Sequence, residues 1–238
     1  MKNLILTRAL LACFAAALSS QAVAGTIAVV GNNNVASFLN SNGHTATAYG
    51  SAGSINYAGL DAVILMRTSG DASVSNFVFN GGLLITEWDA TWTLNTANLL
   101  TPTDTGHPPY RPSDPVAITS AGIAAGLAAG MSNPFLDGGQ SQHYRGLSGI
   151  GPDVEVLLEW SSDNVAVAIG GSYGAGSVLV NTLDWGDGFN GNGINESEQM
   201  LLNMLNYSYT GAAVPAPMTV VLFGLGMILL GMSRKRGL

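Results

Sequence analysis

The apolar residues of this chain fall into short runs separated by polar turns. Thr26 to Val30 is a continuous apolar run with β-branched residues, and it stops at Gly31 and three asparagines. A run without alternation predicts a strand buried on both faces, as in a parallel sheet. Val35 to Leu39 predicts a helix with Asn34 as its N-cap. GHTATAYG and LDAVILMR predict the second and third strands. Asp71 predicts the N-cap of an amphipathic helix over ASVSNFVFNGG, ending at Gly81-Gly82. LLITEWD predicts a fourth strand. Strands alternating with short helices predict an α/β fold, a mainly parallel, flavodoxin-like sheet with helices on both faces.

The pattern changes after residue 90. TPTDTGHPPYRPSDP is proline-rich and predicts an excursion from the core. AITSAGIAAGLAAG restores helical patterning. VEVLLEW, VAVAIGGS and GSVLVNTLDW predict a β-meander, with SSDN and YGAG as its turns. Acidic residues open a last helix over roughly Asn195 to Tyr207, where the helix dipole favours them. TGAAVPAP predicts an extended linker. No internal repeat is present.

Both ends depart from this domain pattern. Lys2 and Arg8 form a basic n-region, Ala9 to Leu18 is apolar, and Ala22-Val23-Ala24 is a small-x-small cleavage pattern. Residues 1–24 therefore predict an export signal cut after Ala24. A rival reading is a lipoprotein cut before Cys13. It places Arg8 inside the apolar stretch and leaves most of that stretch after the cut. At the other end, Met218 to Met232 is apolar and followed by Arg234, Lys235 and Arg236. As a helix it would be about 22 Å long, short of the ~30 Å hydrocarbon core. The organisation expected is a signal helix over 1–24, a domain over 25–209, a linker over 210–217, and a transmembrane helix with basic tail over 218–238.

Charge and cysteine content narrow the function classes. The 15 acidic residues all lie between Asp61 and Glu198, where the only basic residues are Arg67, Arg111 and Arg145. The domain thus carries 3 − 15 = −12 and no lysine. Such a surface repels phosphate backbones, so nucleic acid is not an expected partner. The only cysteine, Cys13, lies in the leader. The mature chain therefore has no disulfide, thiolate metal site or cysteine nucleophile, and no cofactor is expected.

Strand order and turn glycines carry a resemblance. TIAVVGNNN, LDAVILMR, FNGGLLITEWD and VAVAIGGSYGAGSVLVNTLDWGDGF resemble the class I glutamine-amidotransferase-like fold, in its trehalose-utilisation-type branch, over about residues 25 to 208. In catalytic members of that family a cysteine occupies the sharp turn after the strand matching LLIT. Here the turn reads Glu87-Trp88-Asp89, so the resemblance implies the fold without the activity. The C-terminus is similar to the PEP-CTERM sorting signal of Gram-negative bacteria: Val214-Pro215-Ala216-Pro217, an apolar run, then Arg234-Lys235-Arg236. The family's usual third residue is glutamate, and Ala216 replaces it. This resemblance implies recognition by an exosortase, a membrane-embedded protease. It also implies transient anchoring in the inner membrane and release or attachment at the cell surface. The basic tip keeps the tail's end cytoplasmic, and an under-length, glycine-bearing span suits a disposable anchor. An ordinary single-pass anchor is the alternative.

Several motifs offer chemistry. Gly170 to Gly174 satisfies G-x-S-x-G, but a strand rather than a helix is expected after it, against a nucleophile elbow at Ser172. Asp184, Asp187, Asn190, Asn192 and Glu196 are oxygen donors for Ca²⁺ whose spacing does not fit an EF-hand loop, so a metal site stays undecided. His143 stands beside Tyr144 and Arg145. Glu87, Trp88 and Asp89 close a central strand, at the edge where open α/β sheets bind ligands. Asn32, Asn33 and His143 complete the candidate crevice. Trp88 or Trp92 is a candidate platform for a sugar ring, and Trp88 serves equally as core. The function expected is a non-catalytic binding or structural domain of an exported, matrix-associated protein, with extracellular polysaccharide as a candidate partner. The competing class is an extracellular hydrolase of polysaccharide or glycoconjugate acting through Glu87, Asp89 or His143.

Overall fold

The computed structural model describes residues 25–111, 113–136, 143–189 and 194–208. The leader with Ala22 and Ala24, the sorting motif Val214 to Pro217, the span over 218–238 and the basic tip lie outside these residues. Among the described residues, no helix is long and apolar enough to cross a membrane.

The first strands form where the apolar runs lie: β1 (Thr26–Val30), β2 (Thr45–Tyr49), β3 (Ala62–Met66) and β4 (Leu83–Glu87). Helix α1 (Asn33–Ser41) joins β1 to β2, and α2 (Ala72–Phe79) joins β3 to β4. The excursion holds a 3-10 turn (Trp88–Trp92), the short helix α3 (Thr93–Ala97) and the two-residue strand β5 (Thr103–Asp104). Strand β6 (Val116–Ile118), the five-residue α4 (Ser120–Ala124) and β7 (Leu147–Ser148) follow. The second half adds β8 (Val154–Trp160), β9 (Ala166–Tyr173), β10 (Gly176–Asn181) and α5 (Glu196–Met204).

One eight-stranded sheet runs β2-β1-β3-β4-β10-β9-β8-β6. Strands β2, β1, β3, β4 and β10 are mutually parallel, and β9, β8 and β6 continue antiparallel. Strands β5 and β7 pair separately. The meander is therefore part of the main sheet, and its last strand lies beside β4. Alternate strand residues feed two apolar layers. Ile27, Val29, Ile64 and Ile85 face α1 and α5, and Val30, Val63, Leu65 and Leu84 face α2 and α3. Burial on both faces accounts for the unbroken apolar runs.

Local signals mostly hold. Asp71 caps α2 by accepting from Ser73 N–H. Asn195 and Glu198 close a capping box on α5. The cap of α1 is Asn32, two residues earlier than the apolar pattern indicates. Its side chain accepts from the N–H groups of Asn34 and Val35. Helical structure in AITSAGIAAGLAAG is confined to α4. The glycines of GGSYG serve the sheet. A side chain at Gly170 would meet the Tyr207 hydroxyl within 2.0 Å, and Gly174 takes φ +62° in the β9–β10 hairpin. Ser172 faces Ser177 inside that hairpin, so no elbow exists there.

Asparagine amides protect the sheet's outer strands. The Asn40 side chain donates to Ala46 C=O and accepts from Ala46 N–H, both at 2.9 Å, on edge strand β2. Asn133 does the same for Ile118 on edge strand β6, both at 2.8 Å. Each amide completes the two bonds a further strand would make, which blocks one register position for edge-to-edge pairing. We expect Asn40→Ala to cost about 1 kcal/mol of stability and to promote self-association. Urea denaturation and sedimentation velocity check both outcomes.

Candidate functional site

The carboxyl end of β4 turns sharply into the 3-10 segment. Trp88 makes that turn with φ 41°, a left-handed conformation rare for a bulky residue. Its N–H donates to Leu183 C=O at 3.2 Å, which pins the turn to the chain leaving β10. His143 to Arg145 pins the same chain from the other side. Arg145 N–H donates to Thr182 C=O, and Asp184 N–H donates to His143 C=O. Residues remote in sequence thus meet at one point of the sheet edge.

The side chains at this point form a connected cluster around the indole. The Arg67 guanidinium sits 5.0 Å from the Trp88 ring centre. The His107 ring lies 5.4 Å away and the His143 ring 6.3 Å. Tyr110 stacks on His143 at 4.7 Å. Trp88 is therefore half-buried and flanked by a cation and two imidazoles, while Tyr110 is the more open aromatic, 51% exposed. Thr86 Oγ1, Trp88 Nε1 and Thr91 Oγ1 are buried around the turn, with no hydrogen-bond partner among the described residues.

Two arginines organise the charges. Arg67 Nη2 donates to Asp184 at 2.6 Å and to Asp187 at 2.5 Å. Arg145 forks onto the fully buried Asp104 carboxylate through Nε and Nη2, and its Nη1 reaches Asp89 at 2.8 Å. The same Nη1 is 2.7 Å from His107 Nε2, which in turn lies 3.3 Å from Asp89. A guanidinium only donates, so Nε2 is the acceptor in this arrangement. Asn95 holds the Asp104 backbone at both its N–H and its C=O. Asp104 is thereby held through both its side chain and its backbone, beside the β5–β7 pairing.

Glu87 is wholly buried beneath this layer. Its Oε1 accepts from Gly186 N–H at 3.2 Å and lies 4.0 Å from Arg67. Burial pushes its carboxyl up to about 9, and the adjacent Asp184 adds to the rise. Arg67 and the Gly186 N–H act the other way. Glu87 is accordingly a neutral acid at pH 7.

The structure brings Glu87, Trp88, Asp89 and His143 together, as the sequence indicates. It leaves out Asn32, whose side chain is engaged in capping α1, and Asn33, the first residue of that helix. Glu87, a candidate crevice residue, is instead buried, and Trp88 is half-buried beside the Arg67, His107 and His143 side chains. Asp184 and Asp187 pair with Arg67. Among the described residues, no group of three or more His, Cys, Asp or Glu can hold a metal. Asn190 and Asn192 lie outside the described residues. Arg67, Asp104 and Tyr110 belong to the site without having been singled out by sequence. The one available signal was Arg67, a charge directly after a buried strand at the same edge.

No family model matches the chain, and no curated protein does. Solved structures do. A cytoplasmic protein of Salmonella typhimurium LT2 superposes with a TM-score of 0.57 at 14% identity, over 76% of this chain and 98% of that one. A ThuA-like protein of Bacteroides uniformis gives 0.53 at 13%, over 79% and 93%. One of Parabacteroides merdae gives 0.51 at 14%, over 76% and 88%. The fold is therefore the amidotransferase-like fold of ThuA-like proteins, and at these identities the likeness extends to the fold alone.

The buried acid makes a pH prediction. An unfolded glutamate titrates near ~4.3. From there up to about 9, the folded chain holds a proton that the unfolded chain has released. The group's stabilisation is full below the unfolded value and is lost as pH rises towards the folded one. The slope is at most about 1.4 kcal/mol per pH unit. Glu87→Gln keeps the acceptor for Gly186 and cannot ionise. We expect its urea midpoint to change less between pH 6 and 9 than that of the wild type.

Proposed function

We propose that the chain is an exported cell-surface or matrix-associated protein whose domain binds neutral polysaccharide without turning it over. The observation that carries the non-catalytic reading is Trp88. It occupies the strained turn where a nucleophile would stand, and Arg67, His107 and His143 pack around its half-buried ring. The hydrolase alternative is weakened by Glu87, which is sealed from solvent and so cannot reach a glycosidic oxygen. What remains open is an aromatic and polar surface: Tyr110 stacked on exposed His143, with Asp89 and His107 half-exposed nearby. An aromatic face with adjacent hydrogen-bonding groups suits a sugar ring.

Charge supports a neutral ligand. Each arginine of the domain already binds two carboxylates: Arg67 with Asp184 and Asp187, Arg111 with Asp114 and Asp163, and Arg145 with Asp104 and Asp89. A uronate or sulfated chain would meet surplus negative charge here. Export by a leader cut after Ala24 and sorting through Val214 to Pro217 and Arg234 to Arg236 rest on the sequence. The exosortase and the inner membrane are the partners this implies, before release.

Two experiments test the reading. On an array of extracellular glycans, the wild type should bind neutral chains and release no reducing ends. Tyr110→Ala should weaken binding about tenfold, or ~1.4 kcal/mol. Released sugar that disappears in a combined Glu87→Gln, Asp89→Asn and His143→Ala variant would establish the hydrolase instead. Mass spectrometry of the secreted protein should find a C-terminus near Pro215. An intact chain ending at Leu238 in membranes would identify the tail as a simple anchor.

A further inference from the structure

The parallel strands begin at the sheet edge opposite the Trp88 cluster, and a cavity of about 680 Å³ lies there. Gly25, His44, Asp61 and Tyr207 are among its lining residues. The backbone N of Gly25 donates to His44 Nδ1 at 3.3 Å. The next N–H, that of Thr26, donates to Asp61 Oδ2 at 2.7 Å. A side chain built on Gly25 would lie 3.7 Å from the same carboxylate oxygen and 3.8 Å from His44 Nδ1. An acceptor nitrogen and a carboxylate therefore converge on the first residue after the expected cleavage point. Among the described residues Asp61 has no arginine partner, unlike Asp89, Asp104, Asp184 and Asp187.

We infer that His44 and Asp61 form a binding site for the α-ammonium that export processing creates at Gly25. The inference rests on the export reading. Hydrolysis of the Ala24–Gly25 amide consumes one water, leaves a carboxylate on Ala24 and leaves an ammonium on Gly25. An amide N–H offers one donor, and His44 already takes it. An ammonium offers three donors and a full positive charge, so it can keep His44 and also pair with Asp61. The domain has no lysine, and its three arginines are held by other carboxylates. The new terminus therefore supplies a fourth cation to a strongly acidic domain, and only after the leader has gone. Any residue left before Gly25 would convert the ammonium back to an amide and remove the charge. The site thus reads whether cleavage occurred at Ala24.

The titratable groups lining this cavity are His44, Asp61 and Tyr207. Protonation of His44 Nδ1 would replace an acceptor with a like charge, so the test is recorded on the alkaline side. The full chain is expressed in an exporting host and the mature protein purified. N-terminal sequencing first reports whether processing yields Gly25. A different terminus overturns both the cleavage reading and this inference. With Gly25 confirmed, its α-amine is titrated by the pH dependence of labelling with an amine-reactive ester. Lys235, if retained, is separated by peptide mapping. A free α-amino group titrates near ~8. An adjacent carboxylate should raise that midpoint by about half to one pH unit, the low end of the effect because Asp61 is exposed. Asp61→Asn keeps an acceptor for Thr26 and should return the midpoint to the ordinary value. Two alanines inserted after Ala24 should do the same without touching the domain. An ordinary midpoint in the wild type, or one unmoved by Asp61→Asn, overturns the inference while leaving the export reading intact.

Discussion

The fork between Arg145 and Asp104 is the contact on which the upper edge of this domain depends. Asp104 has no exposed side-chain surface, and it receives Nε and Nη2 of Arg145 while Asn95 holds its backbone. Breaking a buried pair by removing one partner leaves an uncompensated charge, which is costly. The fork therefore fastens the proline-rich excursion to the chain that runs beside β10. His107 and Tyr110 travel with the excursion, and His143 travels with Arg145. The fork acts with the backbone bonds of Thr105 and Gly106 to Gly146, and of His143 to Asp184, to bring these rings beside Trp88. The same logic operates twice more. Arg67 draws the 184–187 turn over Glu87, and Arg111 ties Asp114 to Asp163. A domain with so few cations places each one where it joins distant segments.

The turn after β4 is strained and held by contacts from distant segments. A left-handed backbone at a tryptophan costs on the order of 1–3 kcal/mol, and the surroundings must hold it. They do so through the Trp88 N–H bond to Leu183 and the ring contacts on the indole. Beneath it, Glu87 is a carboxyl kept neutral by burial and by its neighbour Asp184. The likeness to ThuA-like structures covers the sheet that presents this turn.

Asparagine has a structural use here that composition conceals. Asn40, Asn95 and Asn133 each offer a side-chain amide to both backbone groups of one strand residue. An Asn amide carries the same donor and acceptor as a peptide bond, so it can stand in for a missing strand. In sequence these residues read only as turn or cap formers. Their role depends on where the edge of the sheet falls, and pairing partners 6 to 15 residues away decide that.

By itself, the sequence determined the seven principal strands, the cap at Asp71, the acidic first turn of the last helix, and the place of Glu87-Trp88-Asp89 at the end of a central strand. These are local facts: uninterrupted β-branched runs, cap residues and turn glycines act within a few residues. It also excluded Ser172 as an elbow, because two adjacent strands leave no room for the helix an elbow needs. Only the tertiary structure decided that the meander enters the main sheet next to β4, so that Asp184 and Gly186 meet Glu87. It decided too that Arg67, His107 and His143 gather around Trp88, and that Asp184 and Asp187 pair with Arg67. These outcomes join residues from about 20 to more than a hundred positions apart, Arg67 with Asp184 among the most distant. Such pairing is set by sheet order, and no short-range pattern encodes sheet order. The physical reason is the same throughout: burial changes what a polar side chain is, and burial belongs to the assembled layers.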